Sequence, residues 1–131
     1  MTKIILFSFL TLFLGCATYT KFPVSKVTPA ADISAKKKIN DQNNFTLEII
    51  ANNLASANRL NPPGNNYSVW IVTKSHGIKN VGQLNVENAE KTVFKTVTPF
   101  DFDEVFITIE NQGDSNYPLG VEIARTKILM K

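Results

Sequence analysis

The 131-residue chain has one cysteine, one histidine and one tryptophan. A single cysteine excludes an internal disulfide, and with a single histidine it excludes a Cys/His zinc cluster. Net charge is small: 14 Lys+Arg against 11 Asp+Glu give a formal +3, too little to argue for nucleic acid. No apolar run approaches the ~20 residues of a bilayer-spanning helix; the longest runs from Ile4 to Leu14. Signatures of catalysis are missing as well. There is no His-Glu-x-x-His, no phosphate-cradling glycine loop and no Ser-x-x-Lys, and Ser115 in Gly113-Asp114-Ser115-Asn116 is not in a nucleophile elbow. The chain reads as non-enzymatic, with no cofactor and no metal. What it does have is 44% hydrophobic and 19% charged residues, the balance of one globular domain with a modest core.

The N-terminus begins Met1-Thr2-Lys3, continues through the apolar Ile4 to Leu14 and ends in Gly15-Cys16. A short positive start, a short apolar run and a small residue before a cut have the form of a secretory signal peptide. Leu14-Gly15-Cys16 resembles a bacterial lipobox, in which the cysteine thiol is acylated and becomes the first residue. Phe13 and Leu14 depart from the preferred residues of that pattern, and the competing reading is an ordinary signal peptide with a stray cysteine. Acylation of Cys16 with two or three chains would anchor the protein stably where one chain does not. Ala17 rather than Asp follows it, which by resemblance to bacterial sorting points to the outer membrane, facing the periplasm or the exterior.

Residues 16–44 read as the lipidated cysteine and a flexible tether. Residues 17–44 carry Pro23, Pro29, the run Lys36-Lys37-Lys38 and the polar stretch Asn40 to Asn44, with five lysines against two aspartates. As a coil they would separate anchor and domain by roughly 30 Å. The lysines read first as a solvated linker and second as contacts to anionic lipid headgroups.

From Phe45 to the end, 8 basic and 9 acidic residues are spread through segments of period two. Phe45, Leu47 and Ile49 alternate with Thr46 and Glu48. Tyr67 to Val72 is apolar on both faces, as in a central strand covered on both sides. Val81 to Val86 and Lys91 to Val97 alternate more weakly, and Glu104 to Glu110 is rich in β-branched and aromatic residues. Val121, Ile123 and Arg125 alternate with Glu122, Ala124 and Thr126. Turn signals separate these segments at Asn61 to Asn66, Ser75-His76-Gly77, Thr98-Pro99 and Asn111 to Asp114. Six or seven short strands predict an all-β fold, a small antiparallel sandwich of immunoglobulin-like or similar type over residues 45–131. One helical turn is allowed after Ala51.

Candidate sites are few. His76 lies in a turn and reads as a turn residue rather than a ligand. Asp101, Asp103 and Glu104 are close enough in sequence to suggest a carboxylate pair or a calcium site, and they carry the weaker alternative of a hydrolase; no calcium-binding loop accompanies them. Glu48 and Glu110 are expected to point outward, where either would reach Arg59 or Arg125. Trp70 reads as a core anchor, with an aromatic platform for a sugar as the alternative. Tyr67 and Trp70 are an odd number of residues apart and face opposite sides of a strand. Phe100 and Phe102, alternating with Asp101 and Asp103, are the expected partly exposed contact patch.

Four motifs occur in order: Tyr67-Ser68-Val69-Trp70, Val81-Gly82-Gln83-Leu84, Phe106-Ile107-Thr108-Ile109-Glu110 and Tyr117-Pro118-Leu119-Gly120-Val121. Together they resemble the extracytoplasmic C-terminal domain of anti-sigma-K factors, over about residues 45–125. The resemblance implies that Tyr67, Trp70, Gly82, Glu110, Pro118 and Gly120 shape the fold, and that the protein resides in the cell envelope. Neither the sigma-binding helical part nor the membrane-spanning helix of those regulators has a counterpart here, so binding of a cytoplasmic sigma factor is not implied. The expectation is a lipid-anchored envelope protein that meets another envelope protein; a polysaccharide- or peptidoglycan-binding module is the alternative.

Overall fold

The computed structural model describes residues 18–86 and 90–129. The proposed signal peptide and Cys16 lie outside the described residues. Eight strands form two antiparallel four-stranded sheets: β1 (Thr20–Lys21), β2 (Asp32–Ile39), β3 (Phe45–Asn52), β4 (Asn66–Thr73), β5 (Ile78–Leu84), β6 (Lys91–Thr98), β7 (Phe102–Glu110) and β8 (Glu122–Lys127). The first sheet has the order β1-β2-β3-β6 and the second β5-β4-β7-β8. The chain crosses between sheets after β3, β5 and β6, as in a Greek-key sandwich.

Period two explains which side chains meet between the sheets. Leu47, Ile49 and Ala51 of β3 face Tyr67, Val69 and Ile71 of β4 and Val105, Ile107 and Ile109 of β7, all fully or nearly fully buried. One 3₁₀ turn, Ala57–Arg59, follows β3 and buries Ala57. The Tyr67 hydroxyl donates to the Ala55 carbonyl at 2.6 Å. Burial pushes that phenol up to about 12.

The sandwich begins well before Phe45. Every residue of β2 pairs with β3, from Asp32 opposite Asn52 to Ile39 opposite Phe45. Phe22, Ile33 and Ala35 are buried in the core. The expected flexible tether is therefore largely an integral strand and its approach. Its polar stretch is the hairpin turn: the Asn40 side-chain oxygen accepts from the Gln42 and Asn44 amides at 3.0 Å each, and Asn43 adopts φ 60°, which asparagine tolerates better than most residues. Upstream, the Ser25 hydroxyl accepts from the Val27 and Thr28 amides, and turns the chain into β2. The alternation of β2 was masked because Lys37 takes an inward position normally held by an apolar residue.

Lys37 closes one end of the sandwich. Its side chain is 5% exposed and its ammonium lies 2.6 Å from Asp101 Oδ1. It also donates to the Phe102 carbonyl and lies beside the Phe45 and Phe102 rings, 5.0 and 4.7 Å from their centroids. The two sheets are thus tied by a charge with a carboxylate partner and two aromatic faces.

Bulges correct two details of the strand reading. An irregularity between Val72 and Thr73 sets Thr73 opposite Phe102, which turns Phe102 into the core. Another between Ile107 and Thr108 puts Ala124 opposite Ile107 on the inner face and Arg125 on the outer one, separating Ile123 and Arg125 from simple alternation.

Candidate functional site

The outer face of the second sheet carries one row of directly opposed side chains: Asn80 on β5, Trp70 on β4, Phe106 on β7 and Arg125 on β8. Trp70 and Phe106 are stacked, with centroids 6.1 Å apart and planes 12° from parallel. The Arg125 guanidinium carbon lies 4.0 Å from the Phe106 centroid. Glu122 and Glu104 hold the guanidinium at 2.6 and 3.0 Å. Burial opposes its charge, but the hydrogen bonds and charges of the two glutamates outweigh that and raise its pKa.

Trp70 is fully buried although it faces away from the space between the sheets. On this face a hydrogen-bonded chain leads from the indole to the connection between β7 and β8, residues 111–121. The Trp70 Nε1–H donates to Thr108 Oγ1 at 2.8 Å, and the Thr108 hydroxyl donates to Glu110 Oε2. Glu110 Oε1 accepts from the Leu119 and Gly120 amides, each at 3.0 Å. Nearer the start of the connection, the Asn80 amide donates to the Gly113 and Ser115 carbonyls at 2.9 and 3.0 Å. A Cβ at position 120 would lie 1.6 Å from the Ile109 carbonyl oxygen, so only glycine lets the chain pass this close to β7.

Three of the four motifs behind the anti-sigma-K resemblance therefore meet in one network of Trp70, Thr108, Glu110 and Gly120. The fourth contributes Gly82, at φ +139° beside the Phe94 ring, where a Cβ would approach the ring to 2.9 Å. Pro118 is half-buried. Glu110, expected to point outward, is 3% exposed, because the connection folds over it and supplies two amide donors. Arg125 pairs with Glu104 and Glu122 rather than Glu110. Glu48 does face outward and meets Lys36, Lys95 and the Tyr19 hydroxyl.

The far side of the connection is apolar. Tyr117 and Leu119 are 66% and 74% exposed, and Val121 is 38% exposed. Beside them lies an open cleft of about 650 Å³ whose lining includes Pro62, Pro63, Ile109, Leu119 and Val121. A second cleft, of about 710 Å³, is lined by amide-bearing side chains, Asn58, Asn65, Asn66, Gln83 and Asn85, together with Arg59. Both clefts border the segment between the 3₁₀ turn and β4.

Phe100 and Phe102, expected to form a partly exposed patch, are not exposed together. Phe102 is fully buried. Phe100 is half-buried against the His76 ring, 4.9 Å away, with Lys79 5.1 Å from its centroid. Among the exposed apolar residues of the described chain, Tyr117 and Leu119 are the two that lie on this hydrogen-bonded connection. The signal was present: two large apolar residues in a Gly- and Pro-punctuated segment belonging to no strand.

The remaining candidates do not converge. Asp101 is engaged by Lys37 and by Lys74 at 3.0 Å. The hydrogen bond from Lys37 lowers its pKa, aided by Lys74 and opposed by burial. Glu104 is tied to Arg125 on the outer face, and Asp103 is exposed. His76 sits exposed in its turn, Nδ1 3.1 Å from the Ser75 hydroxyl. Among the described residues no group of three His, Cys, Asp or Glu side chains is arranged to hold a metal ion, and no helix is long and apolar enough to cross a membrane. No family model, curated protein or solved structure matches this chain.

Proposed function

We propose that this is a lipid-anchored cell-envelope protein whose sandwich acts as a non-enzymatic interaction module. It meets another envelope protein through residues 111–121. The observation that carries the reading is the contrast within this connection. Its inner side is held by Glu110 and Asn80, while Tyr117 and Leu119 project into solvent. Large apolar side chains on a hydrogen-bonded support lose little further freedom on binding, which is what a preorganised contact surface requires. The lipobox-like Leu14-Gly15-Cys16 supports the anchor, with outer-membrane placement as the sorting expectation. The resemblance to anti-sigma-K outer domains supports an envelope setting without the sigma-binding act.

The test is copurification from native envelopes of the full chain and of its Leu119→Asp variant. A stoichiometric companion lost with Leu119→Asp, at unchanged melting temperature, supports the reading. The same companions with both proteins contradict it. The amide-lined cleft at Asn58, Asn65 and Asn85 favours a second reading, a polysaccharide- or peptidoglycan-binding module, because side-chain amides both donate to and accept from sugar hydroxyls. Binding to purified cell-wall polymer that is lost on Asn65→Ala and Asn85→Ala would favour it over the first.

A further inference from the structure

We infer that the outer face of the first sheet is a membrane-docking surface that lies on anionic phospholipid headgroups. The inference rests on acylation of Cys16 and adds an orientation to it. Alternation divides the lysine run. Lys37 points inward to Asp101, whereas Lys36 and Lys38 share the outward face with Lys91 and Lys95 of β6 and with the exposed Val93 and Val97. Against these four lysines the face sets Glu48, which lies 3.9 and 4.0 Å from Lys36 and Lys95. The face also carries Asp32, which is paired with Lys21 at 3.5 Å. A surplus of positive charge remains, with two valines 49% and 58% exposed among it. The opposite outer face differs, since Glu104 and Glu122 flank Arg125 there.

The path of the chain selects the lipid surface as the occupant. Tyr19 lies across this same face: its hydroxyl donates to Glu48 at 2.9 Å and its ring is 4.6 Å from the Lys36 ammonium. Cys16 is three residues earlier, a separation of at most about 11 Å. An acyl anchor there holds the lysine face within a Debye length of the headgroups, where each exposed lysine contributes about five-fold in partitioning. Residues 111–121, on the other sheet, then point away from the membrane toward a partner.

The experiment uses the full chain reconstituted in phosphatidylcholine vesicles with and without 30% phosphatidylglycerol. A single added cysteine, Val97→Cys or Asp114→Cys, carries a fluorophore read by an aqueous quencher. The expected result is several-fold protection at 97 in the anionic vesicles only, none at 114, and loss of the protection with Lys38→Glu/Lys91→Glu/Lys95→Glu while the chain still floats with the vesicles. Equal quenching at 97 in both lipids, or protection that survives charge reversal, overturns the inference. Concentration-dependent protection at 97 without lipid also overturns it, in favour of a second copy of the chain. If the parent chain takes up label at Cys16, the acylation reading has failed. The face is then read with Cys16→Ser added, where charge-dependent protection at 97 on anionic vesicles still supports docking and its absence overturns it.

Discussion

Glu110 and Gly120 fix each other. The Gly120 amide lies 3.0 and 3.1 Å from the two carboxylate oxygens, and a side chain at 120 would collide with the Ile109 carbonyl. Removing either partner should loosen the connection around residues 119 and 120, while Asn80 still holds Gly113 and Ser115. Glu110→Ala removes the charged acceptor of two part-buried amides, bonds of a kind worth about 1.5–3 kcal/mol each, and Gly120→Ala forces the backbone to shift. Both variants should keep the sandwich but lose hydrogen-exchange protection at residues 119 and 120. Unchanged protection would contradict the arrangement. Glu110→Gln, which retains one acceptor, should fall between them and the parent.

Trp70 is the largest side chain fully buried in the protein. Trp70→Ala should cost ~3–5 kcal/mol in denaturant unfolding, and Trp70→Phe less, because stacking on Phe106 survives while the bond to Thr108 is lost. An unaltered midpoint for Trp70→Ala would place the ring at the surface.

The Lys37–Asp101 pair makes stability acid-sensitive. Asp101 has a pKa below its ordinary value, first because Lys37 donates to it. Its contribution is therefore present above the unfolded carboxylate pKa, about 3.9, and is lost as pH falls through the lower folded value. Asp101→Asn should flatten that part of the acid-unfolding profile. Lys37→Met, which preserves the stem beside the two rings, should be less destabilising than Lys37→Ala.

Tyr67 predicts the opposite limb. With its phenol raised to about 12 by burial, its contribution is complete below the unfolded value near 10 and disappears as pH rises through about 12. Tyr67→Phe should remove this alkaline loss at the price of the bond to Ala55, about 1 kcal/mol. Spectrophotometric titration checks it through a phenol that ionises near 12 in the parent and is missing in Tyr67→Phe.

Much of the architecture was legible from period two alone. Tyr67 and Trp70 do face opposite sides of a central strand, and the prolines do keep to turns. The start of the domain was not legible, because Lys36-Lys37-Lys38 reads as a solvated run until Asp101 and two phenylalanines are known to await the middle lysine. Phe102 was not legible as core, because a β-bulge, which local sequence does not announce, turns it inward. For the site, Trp70, Glu110 and Gly120 were singled out as separate motifs. Their connection through Thr108 is a tertiary fact, since residues 70 and 108 become neighbours only when β4 pairs with β7. Tyr117 and Leu119 carry no periodicity, and their exposure on a fixed connection is a tertiary fact.

The most direct test places a photo-activated residue at position 117 or 97 of the full chain in its native envelope and identifies the adducts by mass spectrometry. The account predicts a protein adduct from 117 and phospholipid adducts from 97. Phospholipid from both positions, or no protein adduct from 117 under any illumination, would contradict it.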